Sequence, residues 1–164
     1  MTILPRPADW ATRLDIAAPL AMAKLAELTK PVAADPRYPF RLITRRLNDA
    51  VNSCSHDNPV QLRKWPYNPA FMNPADLERL GVSNGDAVAI ASAHGEIVGI
   101  AEADADVRPG CVSMPQSWGR HPDHPGDPRV DGANTGRLVS MDRDLDELTG
   151  QPLMSAVPVS VTSA

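Results

Sequence analysis

The stretch FMNPADLERLGVSNGDAVAI, residues 71–90, predicts a short capped helix, a tight turn and a strand. Asn73 is a favourable helix N-cap, and Pro74 suits the first helical position. Asp76 places a carboxylate at the positive end of the helix, and Gly81 falls where a C-cap glycine belongs. The unit offers no nucleophile, metal-ligand set or general base, so it predicts scaffold rather than a reacting centre.

Short strands surround this unit along the chain. Alternating apolar residues predict a strand in YPFRLITRR, AFM suggests a very short one, and AVAIAS with IVGIAEA predicts a hairpin. CVSMP and the closing AVPVSVTS predict two more. Two long polar loops, residues 47–69 and 116–136, interrupt the pattern. About six strands with two short helices predict a small β-barrel or sandwich with inserted helices.

Composition limits the classes of protein to which the chain can belong. Its 164 residues are 43% hydrophobic, enough for one core, and the net charge of −4 gives no reason to expect nucleic acid or an anionic membrane as partner. The sequence has no run of 18 apolar residues that would predict a membrane span. Asp9, Arg13 and Asp15 interrupt any signal-peptide pattern, so we expect a cytoplasmic protein.

The N-terminal part has a different pattern from the body. Residues 15–31, DIAAPLAMAKLAELTKP, predict a short amphipathic helix, with Pro19 near its first turn and Pro31 beyond its end. Three apolar side chains lie on roughly one face of this helix: Leu20, Leu25 and Leu28. We therefore expect a helical extension at 1–37 and a β domain at 38–164.

The order and spacing of the short motifs resemble one known family. Residues 38–162 are similar to the C-terminal molybdopterin-dinucleotide-binding domain of the molybdenum and tungsten oxidoreductases, which include formate dehydrogenases, nitrate reductases and dimethyl sulfoxide reductase. No single motif is specific, but their succession is. The matching positions are Asn73-Pro74-Ala75-Asp76, Leu80-Gly81-Val82, Gly85-Asp86, Ser92, Gly95, Pro109-Gly110, Pro115, Trp118, Asn134, Leu138, Asp146, Gly150 and Pro152.

This resemblance implies both a fold and a role. The fold is a mainly β, six-stranded double-psi β-barrel with short helices. The role is to bind the dinucleotide part of a molybdopterin guanine dinucleotide, as the C-terminal module or a fragment of a formate dehydrogenase-like oxidoreductase. The remaining domains or a catalytic subunit would be its partners and would carry Mo or W. Two isolated cysteines cannot ligate a four-iron cluster, so we do not expect the chain to be catalytic alone.

The two polar loops hold the residues expected to contact the cofactor. The resemblance implies contacts from the stretch after the first strand and from an Asn near the end of the second loop. Arg suits phosphate through its planar fork of donors, and Asn, Ser and Thr suit ribose and amide groups. The predicted cofactor-binding residues are Thr44, Arg45, Arg46, Asn52, Ser53, Trp118, Asn134 and Thr135.

Simpler interpretations of these residues stay open at this stage. Arg45 and Arg46 suit a solvated strand end, Asn134 suits a turn, and Trp118 suits a plug at the barrel mouth. A rival constellation could bind zinc, although its spacing differs from that of usual zinc sites and we expect no metal. Its members are Cys54, His56, His121 and His124. The alternative function is a stand-alone double-psi barrel that binds a protein or a nucleotide without redox activity.

Overall fold

Six strands close into one barrel in this computed structural model, which describes residues 17–30, 34–50, 52–54, 58–120 and 126–164. The order around the barrel is β1-β5-β2-β4-β3-β6. The predicted fold, a mainly β structure with a six-stranded barrel and short helices, is confirmed. The strands are β1 Phe40–Arg45, β2 Ala70–Met72, β3 Ala87–Ala91, β4 Glu96–Ala103, β5 Cys111–Pro115 and β6 Val157–Ser163.

Two of the six strand pairings are parallel and place distant segments side by side. β1 pairs in parallel with β5, so that Thr44 lies opposite Met114 and Arg45 opposite Pro115. β2 pairs in parallel with β4, and the other pairings are antiparallel. Because parallel strands end on the same side, the segments after β1 and β5 leave the barrel at one end.

Alternating apolar side chains fill the barrel. In β3, the side chains of Val88 and Ile90 are buried while their neighbours are partly exposed, as the period of two in a strand requires. Aromatic residues are few, so branched aliphatic and Met side chains provide most of the core. Its largest fully buried members include Phe40, Met72, Ile90, Ile100, Met114 and Leu138.

The helix predicted from residues 71–90 is confirmed as α3, Pro74–Leu80. The Asn73 side chain accepts a hydrogen bond from the Ala75 amide at 3.0 Å, and Gly81 closes the helix at φ +67°. Asp76 adds a contact outside the helix. Its buried carboxylate accepts hydrogen bonds from the Gly110 amide at 2.6 Å and the Arg79 guanidinium at 2.7 Å.

The expectation of only two helices is wrong. A further helix, α2, spans Pro59–Lys64 inside the polar stretch that was expected to be an irregular loop. Asn58 caps it by accepting from the Val60 amide at 2.9 Å. A 3-10 helix, Thr135–Leu138, lies at the end of the second polar loop. Both loops are therefore partly ordered by hydrogen-bonded turns, which limits where their side chains can lie.

The chain divides into two compact units, Met1–Ala33 and Ala34–Ala164. The first contains the predicted N-terminal helix, α1, at Pro19–Leu28, with Pro19 at its first helical position. The second contains the whole barrel. The domain boundary expected at residues 37 and 38 stays a prediction. Among the residues described, no helix is long and apolar enough to cross a membrane.

Candidate functional site

A cavity of about 230 Å³ opens where β1 and β5 leave the barrel. The parallel register brings Thr44 at the end of β1 close to Gln116, which directly follows β5. Both residues line the cavity, and most of the other residues around it are apolar. The residues around it are Leu42, Ile43, Thr44, Met114, Gln116, Ser117, Asn134, Thr135, Gly136, Val139, Met154 and Val157.

The second polar loop supplies Asn134 and Thr135 to this cavity. Asn134 caps the 3-10 helix, because its side-chain oxygen accepts from the Gly136 amide at 2.9 Å. Thr44 contacts a third segment of the chain, since its hydroxyl donates to the Met154 carbonyl at 3.1 Å. Together with Gln116 and its neighbours, four segments far apart in the sequence thus meet around one opening.

A small hollow of about 10 Å³ lies beside this cavity and involves the first polar loop. The Arg46 guanidinium donates to the side-chain oxygen of Asn52 at 2.8 Å, and the Gln116 amide donates to the same oxygen at 3.0 Å. Gln116 lines both the hollow and the larger cavity. The first loop and the Asn134 segment therefore lie at the same end of the barrel.

Arg45 has a different environment from its neighbour. Its guanidinium donates to Asp104 at 2.7 Å and lies 4.0 Å from the centre of the Phe71 ring. Hydrogen bonding from Arg45, helped by the Asp106 backbone amide, holds the pKa of the Asp104 carboxyl below its ordinary value of 3.8. Arg45 is thus committed to an ion pair. Arg46 has no carboxylate partner among the residues that the structure describes.

The predicted site residues fall into three groups. Thr44, Asn134 and Thr135 line the larger cavity. The small hollow is lined by four others: Arg45, Arg46, Asn52 and Trp118. Ser53 adjoins Asn52 but lines neither space.

Two features of this end of the barrel bear on those assignments. Trp118 is only 8% exposed, which favours a packing role. Sequence reasoning missed Gln116. Gln116 directly follows the strand CVSMP. Its position beside Thr44 follows only from the pairing of that strand with β1, which the sequence does not show.

Asn134 also borders a second cavity, of about 270 Å³. Arg120 and Arg137 line it, but Arg120 is paired with Asp131 at 2.6 Å, and Arg137 donates to the Arg120 carbonyl at 3.0 Å. The lining of this cavity includes no predicted residue of the first loop. The cavity beside Thr44 and Gln116 therefore adjoins predicted residues of both polar loops, and the second cavity does not.

The rival zinc constellation falls mostly on residues for which no structure is described, namely His56, His121 and His124. Its remaining member, Cys54, is exposed. Within the described ranges, no group of three or more His, Cys, Asp or Glu side chains is suited to hold a metal ion.

The closed barrel, with a polar opening at one end, has the form of a binding module. Comparison with known families agrees with this class. The chain belongs to the family described as the molydopterin dinucleotide binding domain, which matches residues 40–158, well over half of the sequence. The alternative of a stand-alone barrel without this role is not favoured.

Two proteins similar to this chain are much longer than it is. A tetrathionate reductase subunit from Archaeoglobus fulgidus is 30% identical over 95 residues, which cover 57% of this chain and 8% of that protein. A solved structure of acetylene hydratase from Pelobacter acetylenicus superimposes with a TM-score of 0.65 at 21% identity, covering 88% of this chain and 20% of the other. At this identity the second likeness bears on the fold alone. This chain thus spans a small fraction of both proteins.

Proposed function

We propose that this barrel binds the dinucleotide part of molybdopterin guanine dinucleotide, in the cavity where β1 and β5 leave the barrel. The observation that carries the proposal is the convergence of polar side chains from three segments around that cavity, within a chain that belongs to the molydopterin dinucleotide binding domain family. A pyrophosphate-linked dinucleotide needs a cation and several neutral donors and acceptors. The residues around the cavity would supply the neutral groups, and Arg46 in the hollow beside it would supply the cation.

Each rim residue has a role that follows from its chemistry. Arg46 would bind the pyrophosphate, because a guanidinium without a carboxylate partner among the described residues offers its donor fork to phosphate oxygens. The amides of Gln116 and Asn134 and the hydroxyls of Thr44 and Thr135 suit ribose and base. Arg45 would support the rim through Asp104 rather than contact the cofactor.

Other parts of a parent enzyme would supply the metal centre and the site for the redox substrate. When bound, the molybdopterin carries the Mo or W that performs redox chemistry. We infer that other domains, or a separate catalytic subunit, hold the metal and the redox substrate, because the chain covers only 8% of the tetrathionate reductase relative. We expect the assembled protein to be cytoplasmic.

The first test is binding of guanosine 5′-diphosphate (GDP), which stands in for the nucleotide half and its pyrophosphate. Calorimetric titration of the full chain should give saturable binding that weakens when guanosine without phosphate is used. Arg46→Ala should weaken GDP binding at least about tenfold, since a charge-assisted hydrogen bond contributes about 1.5–3 kcal/mol and about 1.4 kcal/mol corresponds to one decade.

The matched control is Arg63→Ala, which removes an exposed arginine from the last turn of α2. It changes the net charge equally, but Arg63 lines neither the cavity nor the hollow that Arg46 lines. Equal losses of GDP affinity in the two variants would mean that nucleotide binding reflects overall charge, and would contradict the assignment of Arg46.

A further inference from the structure

We propose that Asn68 is a positioning residue, which sets the distance between the two sides of the candidate site without contacting the ligand. The inference rests on the proposed function for its consequence in binding, but the geometry stands by itself. Asn68 is only 1% exposed, immediately precedes Pro69 and β2, and is not among the residues predicted to bind the cofactor.

The Asn68 side chain uses both of its functional atoms on the two rim segments. Its amide nitrogen donates to the Pro115 carbonyl at 2.7 Å and to the Ala133 carbonyl at 2.9 Å. Its oxygen accepts from the Ala133 backbone amide at 2.7 Å. One buried side chain thus joins the end of β5 to the segment before the 3-10 helix.

Each anchored residue immediately precedes a residue that lines the cavity. Pro115 precedes Gln116, and Ala133 precedes Asn134. The Asn68 hydrogen bonds therefore hold the backbone directly before each of these two cavity residues. Site residues work when a supporting group locks their position, and small displacements weaken binding. The Asn68 amide is such a support for Gln116 and Asn134 together.

The packing around Asn68 leaves little room for another arrangement. Gly132 has φ +71°, and a Cβ there would lie 2.5 Å from the Asn68 oxygen and 2.8 Å from Trp118 Cβ. The segment can approach this closely only because Gly132 lacks a side chain. A side chain at position 132 therefore could not be accommodated without moving Asn68 or Trp118.

A purely structural role would lower stability without changing the rim, and Asn73 provides the comparison. Its side chain also makes two backbone contacts, accepting from the Ala75 amide and donating to the Val107 carbonyl at 2.9 Å, but neither partner lies at the cavity. Asn73→Ala should thus reduce thermal stability and leave the candidate site intact.

The experiment compares Asn68→Asp and Asn68→Ser with Asn73→Ala in the full chain. Asn68→Asp keeps the acceptor for the Ala133 amide and loses both donor bonds, whereas Asn68→Ser shortens the side chain. Two readouts are taken below each melting temperature: the backbone amide chemical shifts of Gln116, Asn134 and Thr135, and the dissociation constant for GDP.

Both Asn68 variants should shift those amide signals and weaken GDP binding at least about tenfold, or about 1.4 kcal/mol. Asn73→Ala should do neither. Unchanged rim signals in a folded Asn68 variant would overturn the positioning role. If the wild-type chain binds no GDP, the proposed function fails, while the chemical shifts still decide the role of Asn68.

If neither Asn68 variant folds, the wild-type chain provides the decisive measurement. On addition of GDP, the side-chain amide signals of Asn68 and the backbone amide signal of Ala133 should shift, because both are bonded to the rim. The Asn73 side-chain signals should stay in place. Unmoved Asn68 and Ala133 signals at GDP saturation would overturn the proposal.

Discussion

At the scale of single residues, Arg45 and Arg46 show how two identical neighbours acquire different roles. Arg45 is the last residue of β1, whereas Arg46 directly follows the strand, and the two side chains lie in different surroundings. Arg45 meets Asp104 and the Phe71 ring, and Arg46 meets Asn52. The sequence indicated that an arginine pair opens a polar loop. It could not tell them apart, because Asp104 lies 59 positions away.

The Arg45–Asp104 pair predicts a pH-dependent stability difference. The pKa of Asp104 is lowered below 3.8 in the folded protein, mainly by its hydrogen bond from Arg45. The stabilisation is therefore complete above pH 3.8 and is lost as the pH falls through the lowered pKa. Asp104→Asn should reduce the free energy of unfolding at pH 7 by up to about 1 kcal/mol, the range for partly exposed pairs.

Urea unfolding at about pH 7 and about pH 3, on either side of the ordinary carboxyl pKa, would measure this difference. The gap between the wild-type and Asp104→Asn midpoints should be smaller at the lower pH. Asp106→Asn removes a nearby exposed carboxylate that has no ion pair among the described residues, and it should give a smaller change. A gap for Asp104→Asn that stays constant over this range would show that the ion pair is not the source of the effect.

At the scale of elements, the same dipeptide begins two helices, and only one of them was predicted. Asn73-Pro74 opens α3, and Asn58-Pro59 opens α2, with the same side-chain cap in both. In α3 the cap precedes a longer helix that ends at Gly81. In α2 the helix has only six residues and its surroundings are polar. Local capping chemistry was thus present at the start of both helices, but only α3 also has a glycine that marks its end in the sequence.

Asp76 links α3 to the turn before β5, and this link predicts a stability loss. Asp76→Asn would replace one carboxylate oxygen with an amide that faces a donor, either the Gly110 amide or the Arg79 guanidinium. Because hydrogen bonds to a charged group contribute about 1.5–3 kcal/mol, the free energy of unfolding should fall by about that amount. Chemical unfolding monitored by tryptophan fluorescence would measure it.

Asp86→Asn is the matched control for this change. Asp86 accepts one hydrogen bond from the Ser83 amide at 2.8 Å, but its side chain is exposed in a turn. Its replacement should lower stability by clearly less than that of Asp76. Similar losses would mean that burial and the second partner of Asp76 add nothing.

At the scale of the whole molecule, the site depends on connections that local pattern cannot supply. Alternation predicted most of the strands, yet their order around the barrel brings Thr44 to Met154 across 110 positions. The family resemblance supplied the barrel and the two loops as the binding face. It did not supply Asn68 or Gln116, whose roles depend on which carbonyls and strands lie next to them in space.

The division of the chain into two units predicts that the barrel folds without its N-terminal part. All six strands begin at Phe40 or later, and the first unit ends at Ala33. A chain lacking residues 1–33 should keep one cooperative urea transition, with a somewhat smaller dependence on urea because less surface is exposed on unfolding. Its GDP affinity should stay within about twofold of that of the full chain, less than roughly 0.5 kcal/mol. A non-cooperative transition would show that the N-terminal unit belongs to the folding core, and a selective loss of GDP affinity would assign it a part in the binding site.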